Sequence, residues 1–207
     1  MPIDRQIPIY RATMERQDDG MFCISLVDEP AVRKDFLKFS KQREMRMMVA
    51  DEDKRLVYGV VMRADYPIYR VDDEGYEYYI YYDAKVIRQM AEKYLKEGNQ
   101  NNVSVDHNGK KIEGVDMVQW FIKDTDKGVS PKGFDDVRDG SLFAEFHVTD
   151  DDLWKDIKEE RFKGFSLEGV FTVRQEYKRQ DNEEISDDDY NEINSMIEEL
   201  RNKLNKR

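Results

Sequence analysis

The stretch Gly164-Phe165-Ser166-Leu167-Glu168-Gly169-Val170-Phe171-Thr172-Val173-Arg174 decides how this chain is read. Phe165, Leu167, Phe171 and Val173 fall on one face of an extended segment, and Ser166, Glu168 and Thr172 on the other. A strand that is apolar on one side needs a core to cover it, so other strands are expected around it. Residues 141–148 alternate in the same way, with Leu142, Ala144, Phe146 and Val148 set against Phe143, Glu145 and His147. Residues 56–62 are apolar and rich in β-branched side chains, the pattern of a strand buried on both faces. Residues 7–14 and 21–27 read as two strands, with Asp18-Asp19-Gly20 as a hairpin turn between them. Residues 66–71 and 76–82 read as a second hairpin around Asp72-Asp73-Glu74-Gly75. Residues 103–107 and 115–122 complete the strands.

Helical periodicity is confined to three places. In residues 84–97, Val86, Ile87, Met90, Ala91, Tyr94 and Leu95 form one stripe, with Asp83 as N-cap and Gly98 as the stop. Residues 151–161 form a shorter helix with Leu153, Trp154 and Ile157 inward. A third helix opens at Ser186 and carries the narrow stripe Ile193, Met196, Ile197, Leu200 and Leu204. Residues 124–139 read as a long surface loop. The expected class is α+β and β-rich. Residues 1–175 are expected to form one domain, 176–185 a polar linker, and 186–207 a C-terminal helix that tethers the chain or mediates oligomerisation.

Composition narrows the function. The chain has 207 residues, 39% hydrophobic and 38% charged, which is enough for a core without disulfides. A net charge of −11 disfavours nonspecific binding to nucleic acid or to an anionic membrane. The single cysteine, Cys23, excludes an intrachain disulfide and a thiolate zinc site within one chain. No apolar run reaches the roughly 18 residues of a membrane span. The opening Met1-Pro2-Ile3-Asp4-Arg5 lacks the apolar region of a signal peptide, so a cytoplasmic location is expected. The acidic runs lack calcium-loop spacing, and no Walker-type glycine loop is present. No cofactor or metal is expected.

The chain contains only two histidines, His107 and His147. His107 lies in Val105-Asp106-His107-Asn108-Gly109, where a strand gives way to a polar turn. A histidine that accepts a proton and a serine that becomes a nucleophile are the minimum parts of a serine hydrolase. Pattern alone leaves two readings open: Ser166 as nucleophile or as an ordinary strand serine, and His107 as base or as a turn histidine bonded to backbone.

Several blocks carry a resemblance. Val103-Ser104-Val105-Asp106-His107, Gly114-Val115-Asp116-Met117-Val118, Trp154-Lys155-Asp156-Ile157-Lys158 and residues 164–171 resemble, in order and spacing, the XkdF-like phage serine proteases. These are a branch of the prohead (head-maturation) proteases, related to herpesvirus assemblin. A further block, Ile24-Ser25-Leu26-Val27-Asp28-Glu29-Pro30-Ala31, resembles a segment that follows the serine strand in other prohead proteases. Its early position suggests a circularly rearranged strand order, with this segment packed beside the Ser166 strand.

The resemblance implies a herpesvirus-protease-like β-barrel surrounded by helices. It implies Ser166 as nucleophile and His107 as general base, within the acid–histidine pair Asp106-His107. The group that orients the imidazole is left among Glu168, which shares the face of Ser166, His147 on another strand, and Asp28 or Glu29. Asp106 adjoins the histidine and would point away from its ring. Arg174 is the candidate for an oxyanion contact. The implied function is a head-maturation endopeptidase that acts inside the procapsid in the host cytoplasm. It would cut scaffold or the capsid-protein extension, and itself, with possible self-association. Two alternatives stand beside it: a capsid protein that keeps the fold without the activity, and an interaction module working through its C-terminal helix.

Overall fold

The structure is a computed structural model, and it describes residues 7–28, 46–71 and 74–175. The expected linker and C-terminal helix, and Glu29, lie outside the described residues. Among these residues the order is β1 (Ile9–Thr13), β2 (Gly20–Val27), β3 (Met47–Asp51), β4 (Leu56–Met62), β5 (Ile68–Val71), β6 (Glu77–Tyr81), α1 (Ala84–Lys96), β7 (Val103–Val105), β8 (Val115–Ile122), β9 (Leu142–Val148), α2 (Asp151–Lys158), β10 (Gly164–Val170) and β11 (Thr172–Gln175). The chain is therefore β-rich and α+β.

The strands form three sheets, ordered β11-β1-β6-β5, β10-β2-β7 and β3-β4-β9-β8. None closes into a barrel. The sheets meet at their corners instead. β10 runs into β11 through Phe171, Arg46 bridges to Gly164, and Ala64 bridges to Tyr82. In the third sheet every strand pairs antiparallel with its neighbours, and β9 is paired on both sides. Val57, Val60, Leu142, Phe143, Ala144, Phe146 and Val148 are all fully buried there. Phe143, assigned by alternation to the polar face, is as buried as the residues opposite, because its ring stacks on Phe121 and meets Phe134 edge-on. Phe134 and Val137 of the long loop are themselves buried. Buried Lys123 holds that loop down, its Nζ donating to the carbonyls of Phe134 at 3.2 Å and Val137 at 2.6 Å.

Helix α1 follows its pattern. The Asp83 carboxylate accepts from the Val86 N–H at 2.7 Å, and Val86, Ile87, Met90, Ala91 and Tyr94 are buried. Leu95 is the exception, at 45% exposure, because the stripe drifts off the core at the last turn.

Two expectations are corrected. β1 and β2 are strands, but they do not pair as a hairpin: β1 lies between β11 and β6, and β2 between β10 and β7. The Asp19 side chain is buried and accepts from the N–H groups of Glu15 and Arg16 and from the Thr172 hydroxyl. Those bonds turn the chain from one sheet into another instead of back on itself. Residues 164–174 are likewise not one strand but two, β10 and β11, in different sheets. The break follows a register shift between Glu168 and Gly169, where Phe22 of β2 is left without a partner. A Cβ on Gly169 would lie 2.5 Å from the Gly20 carbonyl oxygen and 2.4 Å from the Phe171 ring, so only glycine fits this close approach.

Candidate active site

The site is built on the short sheet β10-β2-β7. Ser166 pairs with Ser25, and Ser25 with Ser104, so three serines form a row across three strands. Directly paired residues share a face. The neighbouring positions, Phe165, Leu26, Ile24 and Val103, point the other way and are fully buried in the core. The serine face is covered too: Ser25 is 0%, Ser104 1% and Ser166 6% exposed. Ser166 is thus less exposed than a polar-face strand serine would be.

Glu168 stands two residues from Ser166, opposite Cys23, and its carboxylate reaches across β2. Its Oε1 accepts from the Ser25 hydroxyl at 2.6 Å and the Ser104 hydroxyl at 2.9 Å. The two hydroxyls lie 2.5 Å apart. His107 arrives from beyond β7, which ends at Val105, two residues short of the expected strand over residues 103–107. Asp106 and His107 both take left-handed backbone angles (φ 47° and 53°), so the strand cannot continue. This turn carries the ring back over the serine row. His107 Nδ1 lies 3.3 Å from Glu168 Oε1 and 3.3 Å from Ser25 Oγ. The His107 side chain is 43% exposed and the Glu168 side chain 20%. One edge of the cluster is therefore open to solvent while the carboxylate is sheltered.

Burial works to raise the Glu168 pKa. The hydroxyl bonds from Ser25 and Ser104, together with the neighbouring His107, outweigh it and hold the carboxyl below its usual range. Beside it, burial raises the Cys23 thiol above its usual value, so Cys23 is a thiol that can donate to the Ser104 hydroxyl 3.5 Å away.

The structure therefore brings together His107 and Glu168, with Ser166 one strand from Ser25. His147 is elsewhere, on β9 opposite Leu56 and Asp116, lining a shallow depression with Lys54, Val118, Gln119 and Glu145. Arg174 is in the sheet of β11 and pairs with Glu15 at 2.5 Å, away from the serine row. The segment from Ile24 does pack beside the Ser166 strand, as β2, but its Asp28 pairs with Lys163 at 2.7 Å. Sequence reasoning assigned no role to Ser25 and Ser104. Their signal was present: each is a lone hydroxyl between two apolar residues of a buried strand, and each falls in a block that carried the resemblance. Among the described residues, no group of three or more His, Cys, Asp and Glu side chains is arranged to hold a metal ion. No helix among them is long and apolar enough to cross a membrane.

Comparison with known proteins bears on this cluster. Searches of the curated proteins and of the solved structures found no match. A family model matches residues 44–175, the family described as "Putative phage serine protease XkdF". The match takes in His107, Ser166 and Glu168 and spans more than half of the 207 residues. The chain belongs to the XkdF family of phage serine proteases.

Proposed function

We propose that this protein is a phage head-maturation endopeptidase in which Ser166 is the nucleophile, His107 the general base and Glu168 the group that orients the imidazole. The observation that carries this reading is the 3.3 Å approach of His107 Nδ1 to Glu168 Oε1, on the sheet face that also bears Ser166. With Nδ1 turned to the carboxylate, Nε2 is left to take the Ser166 proton as Oγ attacks the scissile carbonyl. The resulting imidazolium is stabilised by Glu168 and returns the proton to the leaving amine. Water then repeats the sequence on the acyl-enzyme, restoring Ser166. His147 has no part in this scheme.

The substrates in this reading are scaffold and the capsid-protein extension, with cleavage of the protease itself, inside the procapsid. Family membership supports phage protein substrates in general. Kinship with the herpesvirus assemblin proteases is part of the proposal and rests on the resemblance of the sequence blocks, because none of the three sheets closes into a barrel. The test is co-expression with the cognate scaffold, followed by mass spectrometry. Ser166→Ala should abolish cleavage and leave the protein folded. Cleavage at the unaltered rate would remove Ser166 from the mechanism and leave an inactive capsid component as the better reading.

A further inference from the structure

Ser25 and Ser104 occupy the centre of the cluster and belong to no step above. Both are fully buried, and both bond the same carboxylate oxygen. A buried hydroxyl costs stability unless its hydrogen and lone pairs are used, so two of them on adjacent strands call for an account.

The count of hydrogens supplies one. Three short oxygen–oxygen contacts join Ser25, Ser104 and Glu168, at 2.5, 2.6 and 2.9 Å, and only two hydroxyl hydrogens serve them. An ionised carboxylate only accepts. If Nδ1 of His107 lacked a proton, its lone pair would face the Glu168 oxygen at 3.3 Å, and Ser25, also at 3.3 Å, is the hydroxyl within reach to donate to it. Turning the Ser25 hydrogen to the ring would leave the single Ser104 hydrogen to serve all three contacts, so that two of them would have none. The fewest contacts go without a hydrogen when the hydrogens run inward: Ser104 and Ser25 to Glu168, Cys23 Sγ–H to Ser104 or to the Ile24 carbonyl, and His107 Nδ1–H to Glu168 or to the Ser25 oxygen, which leaves only the 2.5 Å contact between the two hydroxyls unserved. We infer that Ser25 and Ser104 are positioning residues that hold Glu168 across the sheet and thereby fix His107 as the Nδ1–H tautomer, with Nε2 free to accept a proton. This inference rests on the protease reading above for its catalytic meaning, but the tautomer can be observed without any turnover.

The experiment uses the full chain labelled with 15N-histidine, with His147→Gln so that one imidazole remains. Long-range 1H–15N spectra in mildly alkaline buffer report the tautomer. The parent should show Nδ1–H alone, and Ser25→Ala and Ser104→Ala should each give a mixture with the Nε2–H form. Ser104→Thr, which keeps the hydroxyl, should restore the parent spectrum. Labelling of Ser166 by a fluorophosphonate should slow on the order of tenfold in the two alanine variants, short of the ~10⁴ effect that follows when the correct tautomer is lost altogether. If Ser25→Ala does not fold, Ser104→Ala on the edge strand carries the test. An unchanged tautomer in the folded alanine variants, or an Nε2–H parent, overturns the inference. Undiminished labelling in Ser166→Ala overturns the protease reading instead. Loss of labelling there, with unchanged tautomers in the alanine variants, overturns only the positioning role.

Discussion

Ser166 of β10 and Ser25 of β2 are direct antiparallel partners, so their side chains stand side by side on one face of the sheet. Cβ atoms of such partners lie about 4.5–5.5 Å apart. The two serines are nonetheless in different situations. The Ser25 hydroxyl is committed to Glu168 and Ser104, whereas among the described residues no hydrogen bond engages the Ser166 hydroxyl. A nucleophile must be free to approach substrate and to give up its proton. Ser166, though only 6% exposed, has an uncommitted hydroxyl, and Ser25 does not.

Glu168→Gln and His147→Gln separate the two candidates for orienting the imidazole. Glutamine keeps the size of Glu168 but removes the charge that stabilises an imidazolium. Scaffold cleavage or fluorophosphonate labelling should fall by about 10²–10⁴ in Glu168→Gln. His147→Gln should leave both rates within about twofold, the size of a small surface effect. Equal rates in the two variants would place the orienting group elsewhere.

The same carboxylate should make stability depend on pH. Its pKa is lowered in the folded protein, against the opposing effect of burial. A lowered carboxyl contributes stability that is fully present above its unfolded value and is lost as pH falls through the folded value. Thermal unfolding should therefore show the unaltered protein above Glu168→Gln near neutral pH. The gap should narrow once pH drops below the usual glutamate range. A gap that widens on acidification would mean the carboxyl is not held ionised.

Asp19 is a structural counterpart. Burial works to raise its pKa, but the N–H groups of Arg16 and Glu15, the Thr172 hydroxyl and the Arg16 guanidinium prevail and hold it well below the usual aspartate range. Asp19→Ala would strand two backbone N–H groups, each costing about 1–3 kcal/mol when unsatisfied in a buried place. A loss of about 2–6 kcal/mol is expected in urea unfolding. The contribution should persist at neutral pH and be lost only as pH falls below the usual aspartate range.

Lys123→Met should loosen the loop it secures. The substitution keeps the apolar stem and removes the ammonium that bonds the carbonyls of Phe134 and Val137. A cost of about 1.5–3 kcal/mol is expected, the range for bonds made by a charged group. Hydrogen exchange should show it as faster exchange of the Val137 amide, which donates to the Phe134 carbonyl at 3.1 Å. Unchanged protection would mean that the aromatic contacts of Phe134 alone hold the loop.

Much of the fold was legible because period and capping are local. Helix α1 with its Asp83 cap, the β5–β6 hairpin and the strands β4, β8 and β9 each announce themselves within a dozen residues. Pairing across sheets was not legible. Nothing local says that β1 and β2 part company at Asp19, because the partner that secures the turn, Thr172, lies 153 residues away. The split of β10 from β11 was hidden for a similar reason: the pressure on Gly169 comes from the Gly20 carbonyl and the Phe171 ring, seen only when β2 is in place. In the site, His107 and Glu168 could be singled out as residue types, and parity put Glu168 on the face of Ser166. That Glu168 reaches His107 across an intervening strand, over two buried hydroxyls, depends on the register of three strands that no single stretch encodes.

That register also sets when the cluster can exist. Ser25 and Glu168 touch across 143 residues of sequence, and Ser25 and His107 across 82. β2 lies between the strands that carry the other parts, so it must wait for both before the sheet is whole. Contacts this distant form late in folding. A growing chain presents Ser25 long before His107, and His107 long before Ser166. The arrangement cannot assemble until the chain has been made past Glu168, and strand order alone sets that earliest moment for any activity that depends on it.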